Sequence, residues 1–511
     1  MRKEITSSQN LKRGVILSYL SMGISILVSL FYTPIVIKNL GQQQYGLYNI
    51  ASSVVSYLSL LNFGLGSAVV RFVTKYRTQK KQEKVESLYG LFLVVFFTLA
   101  TIVVLIGLII IQFENKIFTV STGNEGYQQL RLITLIMIIN LAISFPACVF
   151  SSIITSYERF TYLKCVIIIK SLLVPIIMIP LLLSGHKAVT LAFVVQLLDI
   201  SVSLSYVVYS FFKLHIRINL KLSVIEKSDI REIVTFTSFV FIGLIVDQLY
   251  WSTDKVILSS MFGELPVAIY AVASLIHSYY QQFSGSISDV FFPKVTKMVT
   301  QSSFDELSAL FIKVGRLQSF LLFLILSGFI AFGKEFIQFW AGNGYEDSYW
   351  IALLVLCPAT IPLIESTGFL IIKAMNRHRF RAILYLILAL ANVALSIPAA
   401  KMWGGIGCAA CTCIVVIVGH GFIMNWFYYK KIGLPIIKYW KEIIRIIIPI
   451  AILCVVAIVI NQFILTDKIV IWICKIVVYG LLYFIIQWSF SFNEYEKGLL
   501  KGLICKFKRS E

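Results

Sequence analysis

Asp247, Trp251, Asp254 and Lys255 stand in a stretch of chain otherwise dominated by Phe, Ile, Leu and Val. If that stretch is one helix, a turn of about 100° per residue gathers all four side chains into roughly a 100° arc. Such a stripe must face protein or water, because an ionisable group in hydrocarbon is costly to insert. Two chemistries fit it: a structural Asp254–Lys255 pair, or the wall of a cavity that meets a polar cargo. Glu365 follows Pro358 and Pro362 in a second apolar stretch. Prolines remove backbone donors and kink a helix. A carboxylate beside such a kink can take a proton or a cation, or serve as a buried acceptor. Asp199, near the middle of a third apolar run, is a second carboxylate of the same kind. The basic candidates for an anionic group are Arg71, Lys255, Lys313 and Arg316. Arginine offers a two-pronged fork to phosphate oxygens and lysine a point charge. The plainer reading of each is a long side chain reaching out to the headgroups.

Nothing in the chain suggests bond-making chemistry. His186, His215, His277, His378 and His420 lack metal-ligand spacing. Cys408, Cys411 and Cys413 have no second cysteine pair to complete a metal site, and read as small residues at a helix contact. There is no Ser-His-Asp set, phosphate-binding glycine loop or paired-carboxylate pattern. The expectation is therefore no enzyme, no cofactor and no metal.

The elements that must position these residues are membrane spans. About fourteen stretches are long enough to cross a bilayer, at about 20 apolar residues each. The composition agrees: 58% hydrophobic, 14% charged, mean hydropathy +0.86. Spanning backbone must satisfy its own hydrogen bonds, and these continuous runs, which do not alternate, predict helices rather than a barrel. Asp199 falls in a predicted span 189–212, the polar stripe in 233–258 and Glu365 in 348–372. The formal charge of +20 sits in short loops, which argues against nucleic acid as a partner. One set of loops carries Arg71, Lys75, Arg77, Lys80, Lys81 and Lys84, then Lys213, Arg217, Lys221, Lys227 and Arg231, then Lys373, Arg377, Arg379 and Arg381, and ends with Lys497, Lys501, Lys506, Lys508 and Arg509. The opposite loops offer only Lys38, Lys116, Arg131, Lys187, Lys334, Lys401 and Lys468. By the positive-inside rule both termini are predicted to be cytoplasmic. Residues 1–13 are polar and basic, so the first span is expected to act as an uncleaved signal.

An internal repeat organises the spans. Leu40 to Ser52 (LGQQQYGLYNIAS) and Phe262 to Ser274 (FGELPVAIYAVAS) align without a gap. Gly41 matches Gly263, Tyr48 matches Tyr270, and Ala51-Ser52 matches Ala273-Ser274. Six predicted spans separate the copies, so both copies point the same way. The expected architecture is all-α: a six-helix lobe at 1–220, a second at 221–430 related by an axis along the membrane normal, and two added helices with a tail at 431–511.

With Leu40-Gly41, Tyr45-Gly46-Leu47-Tyr48, Asn62-Phe63-Gly64-Leu65-Gly66 and Arg71 in the first half, and Asp254-Lys255-Val256-Ile257-Leu258, Gly263, Tyr270 and Phe292-Pro293-Lys294 in the second, the chain resembles the Wzx-type polysaccharide and O-antigen flippases of the multidrug/oligosaccharidyl-lipid/polysaccharide exporter superfamily. The resemblance implies alternating-access transport of an undecaprenyl-diphosphate-linked oligosaccharide, from the inner to the outer leaflet of the cytoplasmic membrane, for surface polysaccharide or capsule. It implies membrane lipids, a polysaccharide polymerase and glycosyltransferases as partners. Arg71, Asp247, Trp251, Asp254, Lys255 and Arg316 then become candidates for the diphosphate and sugars. Tyr250, Tyr279 and Tyr280 can stack on sugar rings or, like other membrane aromatics, pack at interfaces. Three alternatives stand beside this. Cation-coupled drug exporters of the same superfamily typically have fewer spans and an acidic residue in the first, whereas Gly14 to Ile37 holds none. Lipid II flippases carry basic residues within the first two helices, and here Lys38 and Arg71 lie only at the ends. A membrane glycosyltransferase needs a large external loop or a donor-binding carboxylate motif, and these loops are short.

Overall fold

The structure is a computed structural model and describes residues 2–121, 123–300, 304–375, 377, 379–464, 469–494 and 496–498. The predicted loop cations Lys468, Lys501, Lys506, Lys508 and Arg509 lie outside the described residues. The described residues are helical and contain no strand. In order they form α1 (Arg2–Leu58), α2 (Leu65–Thr78), α3 (Gln82–Ile117), α4 (Gly123–Ser156), α5 (Phe160–Leu183), α6 (Ala188–Phe212), α7 (Lys227–Trp251) and α8 (Thr253–Phe262). Then come α9 (Glu264–Thr300), α10 (Phe304–Trp340), α11 (Asp347–Ile364), α12 (Ser366–Ala374), α13 (Arg379–Val416), α14 (Asn425–Phe427), α15 (Ile436–Phe463) and α16 (Ile469–Phe490).

Among the described residues, 11 helical stretches are long and apolar enough to cross a membrane. Two of them are interrupted. Leu17–Thr78 breaks its helical backbone at Gly41, and Arg379–Ile432 breaks at Trp403 and Gly404. The hydropathy reading counts the two sides of each break as separate spans, and also counts 266–291, which lies within α9. The lipid-facing surface is apolar, as hydrocarbon solvent requires: Ile169, Ile176, Ile452, Val455, Leu481 and Ile485 are all exposed.

The chain divides into two compact units, Met1–Ala271 and Val272–Glu511. In the first, α4 packs against α3 and α6, and α1 against α5. The start of α7 is tied to this unit by charge. Lys84, its side chain only 9% exposed, lies 2.6 Å from Asp229 Oδ2 and 3.1 Å from Glu226 Oε1. Tyr76 donates its hydroxyl hydrogen to Asp229. Glu226 and Asp229 also form a capping box that satisfies backbone donors at the head of α7. In the second unit, α10 packs against α15, α11 and α16, and α11 against α13.

The repeat seen in the sequence has a backbone counterpart. Gly41 adopts φ 73°, ψ 168°, and Gly263 adopts φ 84°, ψ −159°. Both lie in a region that essentially only glycine enters, at a cost of about 1–3 kcal/mol for other residues. A Cβ at Gly41 would meet nothing within 4 Å, and the same is true at Gly23, which carries no positive φ. Any penalty at Gly41 therefore comes from the backbone alone. Gly41→Ala should lower the thermal unfolding midpoint of the purified protein, whereas Gly23→Ala should leave it unchanged or raise it slightly. Equal midpoints for the two variants would show that the break at Gly41 is not strained for other residues.

A polar cavity within the first unit

The motif Asn62-Phe63-Gly64 is a helix break. After α1 a single 3-10 turn spans Ser59–Asn62, and then Phe63 (φ 51°) and Gly64 (φ 70°) turn through the left-handed region before α2 begins. Phe63 N–H still reaches Leu60 O at 2.9 Å. The side chains of Ser59 and Asn62 border a cavity of about 640 Å³. Across it stand α4, α5 and α6, which contribute Asn140, Lys170 and Asp199. Each of these three residues lies near the middle of its own helix, so the polar groups meet far from both helix ends.

Lys170 and Asp199 form an ion pair. Their side chains remain 28% and 32% exposed, so both border open space instead of being sealed in the protein. Asn140 donates to Gln196 Oε1 at 2.5 Å, and Ser25 bonds Ser171 at 3.1 Å. Tyr206 lines the same space, and its ring lies 6.4 Å from that of Tyr162, which stacks on Tyr209 at 3.8 Å. The lining thus sets hydroxyls, two amides, a phenol and one neutralised charge pair among apolar Leu141, Phe145, Ala147, Ile167 and Val202. It can exchange hydrogen bonds with a hydroxylated ligand, and it holds water-compatible groups at a depth where they would be costly against lipid.

The other sequence candidates fall in separate places. Asp247 is exposed and Trp251 half-buried near the end of α7. The helix is interrupted at Ser252 (φ −121°, ψ −19°), so the four stripe residues do not lie on one continuous helix as the 100° spacing assumed. Beyond the break Asp254 is buried and accepts a hydrogen bond from the Tyr270 hydroxyl, while Lys255 is half-buried. The break packs on α1 through Gln248 Nε2 to Ser56 Oγ at 2.8 Å and Tyr57 to Thr253 at 2.5 Å. Arg71 is half exposed on α2. It lies 3.6 Å from Glu232, an acid it shares with Lys75, and its guanidinium covers the Phe236 ring at 4.7 Å.

In the second unit Glu365 occupies the junction between α11 and α12, as its neighbouring prolines suggest. It is 2% exposed, lies beside Asn425 and Trp440, and its Oε1 has no hydrogen-bond partner among the described residues. Arg316 is committed to a clamp. Its Nε and Nη2 grip both oxygens of Glu496 at 2.7 and 2.8 Å, Nη1 meets Glu442 at 2.7 Å, and Nη2 also reaches Ser491 O at 2.7 Å. The guanidinium offers an anion little beyond what these carboxylates already hold. Lys313 lies three residues earlier on α10.

The sequence reading passed over Lys170, Asn140 and Gln196. Lys170 was detectable as the single charge between Lys164 and Lys187, and as the natural partner for an Asp on the next helix. Asn140 and Gln196 have no linear signature, because only packing brings α4 against α6.

Removing one partner of the ion pair leaves the other charge uncompensated at mid-depth. Lys170→Met and Asp199→Asn should each lower thermal stability, and the double variant should recover part of the loss. A double variant that loses the sum of the two single effects would show that the side chains do not interact.

Residues 11–299 match the polysaccharide biosynthesis protein family. The uncharacterized membrane protein EpsK of Bacillus subtilis (strain 168) is 22% identical over 379 residues, which cover 73% of this chain and 74% of that protein. The fold is shared with solved structures. Lipid II flippase MurJ in its inward closed conformation superposes with TM-score 0.73 at 16% identity, over 93% of this chain and 97% of that one. An inward-facing multidrug resistance MATE family transporter of the MOP superfamily gives TM-score 0.59 at 16% identity, over 84% and 99%. At this identity the likeness is one of fold. With more than half of its length matched, this multi-pass membrane protein belongs to the polysaccharide biosynthesis protein family and carries the fold of the MOP superfamily.

Proposed function

We propose that the chain is a flippase that carries an undecaprenyl-diphosphate-linked oligosaccharide repeat unit from the inner to the outer leaflet of the cytoplasmic membrane. The observation that carries this reading is a ligand-sized cavity where hydroxyls, amides and an ion pair meet at the midpoints of apolar helices, in a chain whose family is polysaccharide biosynthesis. A lipid-linked glycan poses one physical problem: its sugars and diphosphate cannot cross hydrocarbon unaided, while its polyprenyl chain is at home there. A protein that shelters the head and leaves the tail in lipid solves it without making or breaking a bond. Alternating access by rocking of the repeat-related halves would expose the head first to one side and then to the other. Arg71 and Lys255 are the proposed contacts for the diphosphate, with Asp247, Trp251 and Asp254 beside Lys255. Asp199 and Glu365 are the proposed coupling or gating groups. Glycosyltransferases would supply the substrate and a polymerase would consume it, for an O-antigen or capsule.

The test is what accumulates when the protein is lost. Deletion should leave glycosyl transfer intact and trap complete lipid-linked repeat units that reagents outside the membrane do not reach, read by mass spectrometry of extracted lipids. A drug exporter would leave that lipid unchanged and alter toxin sensitivity. A shortened glycan would point to a glycosyltransferase and sink the flippase reading.

The loop charges carry a second proposal, that both termini are cytoplasmic. A reporter fused after Glu511 should be active only when it reads the cytoplasm. Activity from a periplasm-specific reporter at that position would overturn the topology.

A further inference from the structure

We infer that the cavity of the first unit seats the uncharged sugar head of the substrate, and that the diphosphate is bound elsewhere. The inference rests on the flippase reading and adds a division of labour to it. A volume of about 640 Å³ falls within the roughly 300–1,000 Å³ of pockets that enclose a small ligand. The residues that line it include no arginine and a single lysine. That lysine, Lys170, is already neutralised by Asp199.

A diphosphate seeks several unspent cations or convergent backbone N–H groups. Here it would find one paired ammonium and, next to it, a carboxylate of its own sign, whose repulsion grows as the local dielectric falls. A sugar meets the opposite situation. Each sugar hydroxyl both donates and accepts, and so do the serine hydroxyls and the Asn140 amide. The Asp199 carboxylate can accept from two neighbouring hydroxyls while the Lys170 ammonium donates to a ring or glycosidic oxygen. The Tyr206 ring offers an apolar face to the C–H side of a pyranose. The charged groups that would engage the sugar already have partners: Lys170 pairs with Asp199, and the Asn140 amide donates to Gln196 while its Oδ1 is buried without a partner among the described residues. None is left as an isolated charge when the cargo departs, so the site can load and unload without stranding one at mid-depth.

The experiment uses the full chain in lipid nanodiscs and two probes. One is the neutral glycan released by mild acid from the lipid that accumulates in the deletion strain. The other is inorganic pyrophosphate. Saturation-transfer NMR and calorimetry read binding to the wild type, Asn140→Ala, Ser203→Ala, Asp199→Asn and Lys170→Met, each first checked for a monodisperse elution profile. Ser203 lines the cavity from α6, one turn beyond Asp199, and supplies a second neutral variant should Asn140→Ala fold poorly. The glycan should bind, and Asn140→Ala and Asp199→Asn should each weaken it about tenfold, or roughly 1.4 kcal/mol. Pyrophosphate binding, where present, should be indifferent to Lys170→Met. Glycan binding that ignores every cavity variant, no glycan binding at all, or pyrophosphate binding lost in Lys170→Met would each overturn the inference. If no lipid-linked glycan accumulates in the deletion strain, the flippase reading itself fails, and this one with it. If the lipid accumulates but its glycan ignores the cavity, only the inference about the cavity falls.

Discussion

In hydrocarbon a polar group has no water to fall back on, and that constraint bears on each place where a helix of this chain breaks. The helices are not straight rods. They break at Gly41, at Phe63-Gly64, at Ser252 and at Glu365, and each break frees backbone groups that must find partners. At the Glu365 junction, Gly368 N–H turns to Glu365 O at 2.8 Å, which leaves the carbonyls just before it without their helical donors. Tyr439 takes Ile364 O at 2.8 Å and Ser284 takes Leu363 O at 2.9 Å. Around the same junction Gln318, fully buried, bonds Ser288 at 2.7 Å and Ser366 at 2.8 Å. Uncharged side chains thus hold open a bend that the bilayer would otherwise penalise.

Charge follows the same rule with higher stakes. Among the described residues the buried Lys84 and Arg316 are matched: Lys84 with Asp229 and Glu226, Arg316 with Glu496 and Glu442. These pairs do mechanical work in the structure. The first ties the head of α7 to α3. The second ties the segment after α16 to α10 and α15. Lys170 and Asp199 differ in one respect, since they face open space at mid-depth. A matched pair on the wall of a cavity is compatible with an empty site and with a hydroxylated guest, and this is why the cavity has the clearest claim to a ligand.

The family motifs acquire physical meaning once their backbone is seen. Leu40-Gly41 and its repeat mate Phe262-Gly263 mark turns that essentially only glycine can make. Asn62-Phe63-Gly64 marks the break beside the cavity. A Cβ on Gly64 would also lie 2.3 Å from Val240 Cγ1, so α7 approaches too closely for a side chain there. None of these motifs carries reactive chemistry. They specify where a helix stops, and in a membrane-spanning fold the places where helices stop are where polar groups can gather.

The sequence alone determined the solvent, the secondary structure and the repeat. Hydropathy is summed over whole spans, so a few misjudged residues do not alter the conclusion that the chain is helical and membrane-embedded. The pairing of Gly41 with Gly263 was legible because a strained backbone admits one residue type and leaves a mark at a fixed offset. The kink at Glu365 was legible because Pro358 and Pro362 act on their own helix. What the tertiary structure decided is which polar side chains meet. A periodic projection treats a helix as straight, so it could not see the interruption at Ser252 that divides Asp247 and Trp251 from Asp254 and Lys255. Arg316 looked like a cation at a helix end, and only packing brings Glu442 and Glu496, far along the chain, onto its fork. Asp199 was noted as a lone acid, but Lys170 becomes its partner because α5 and α6 place their midpoints at one level. Side-chain convergence is a property of helix packing, and packing in three dimensions is not written in the period of any single helix.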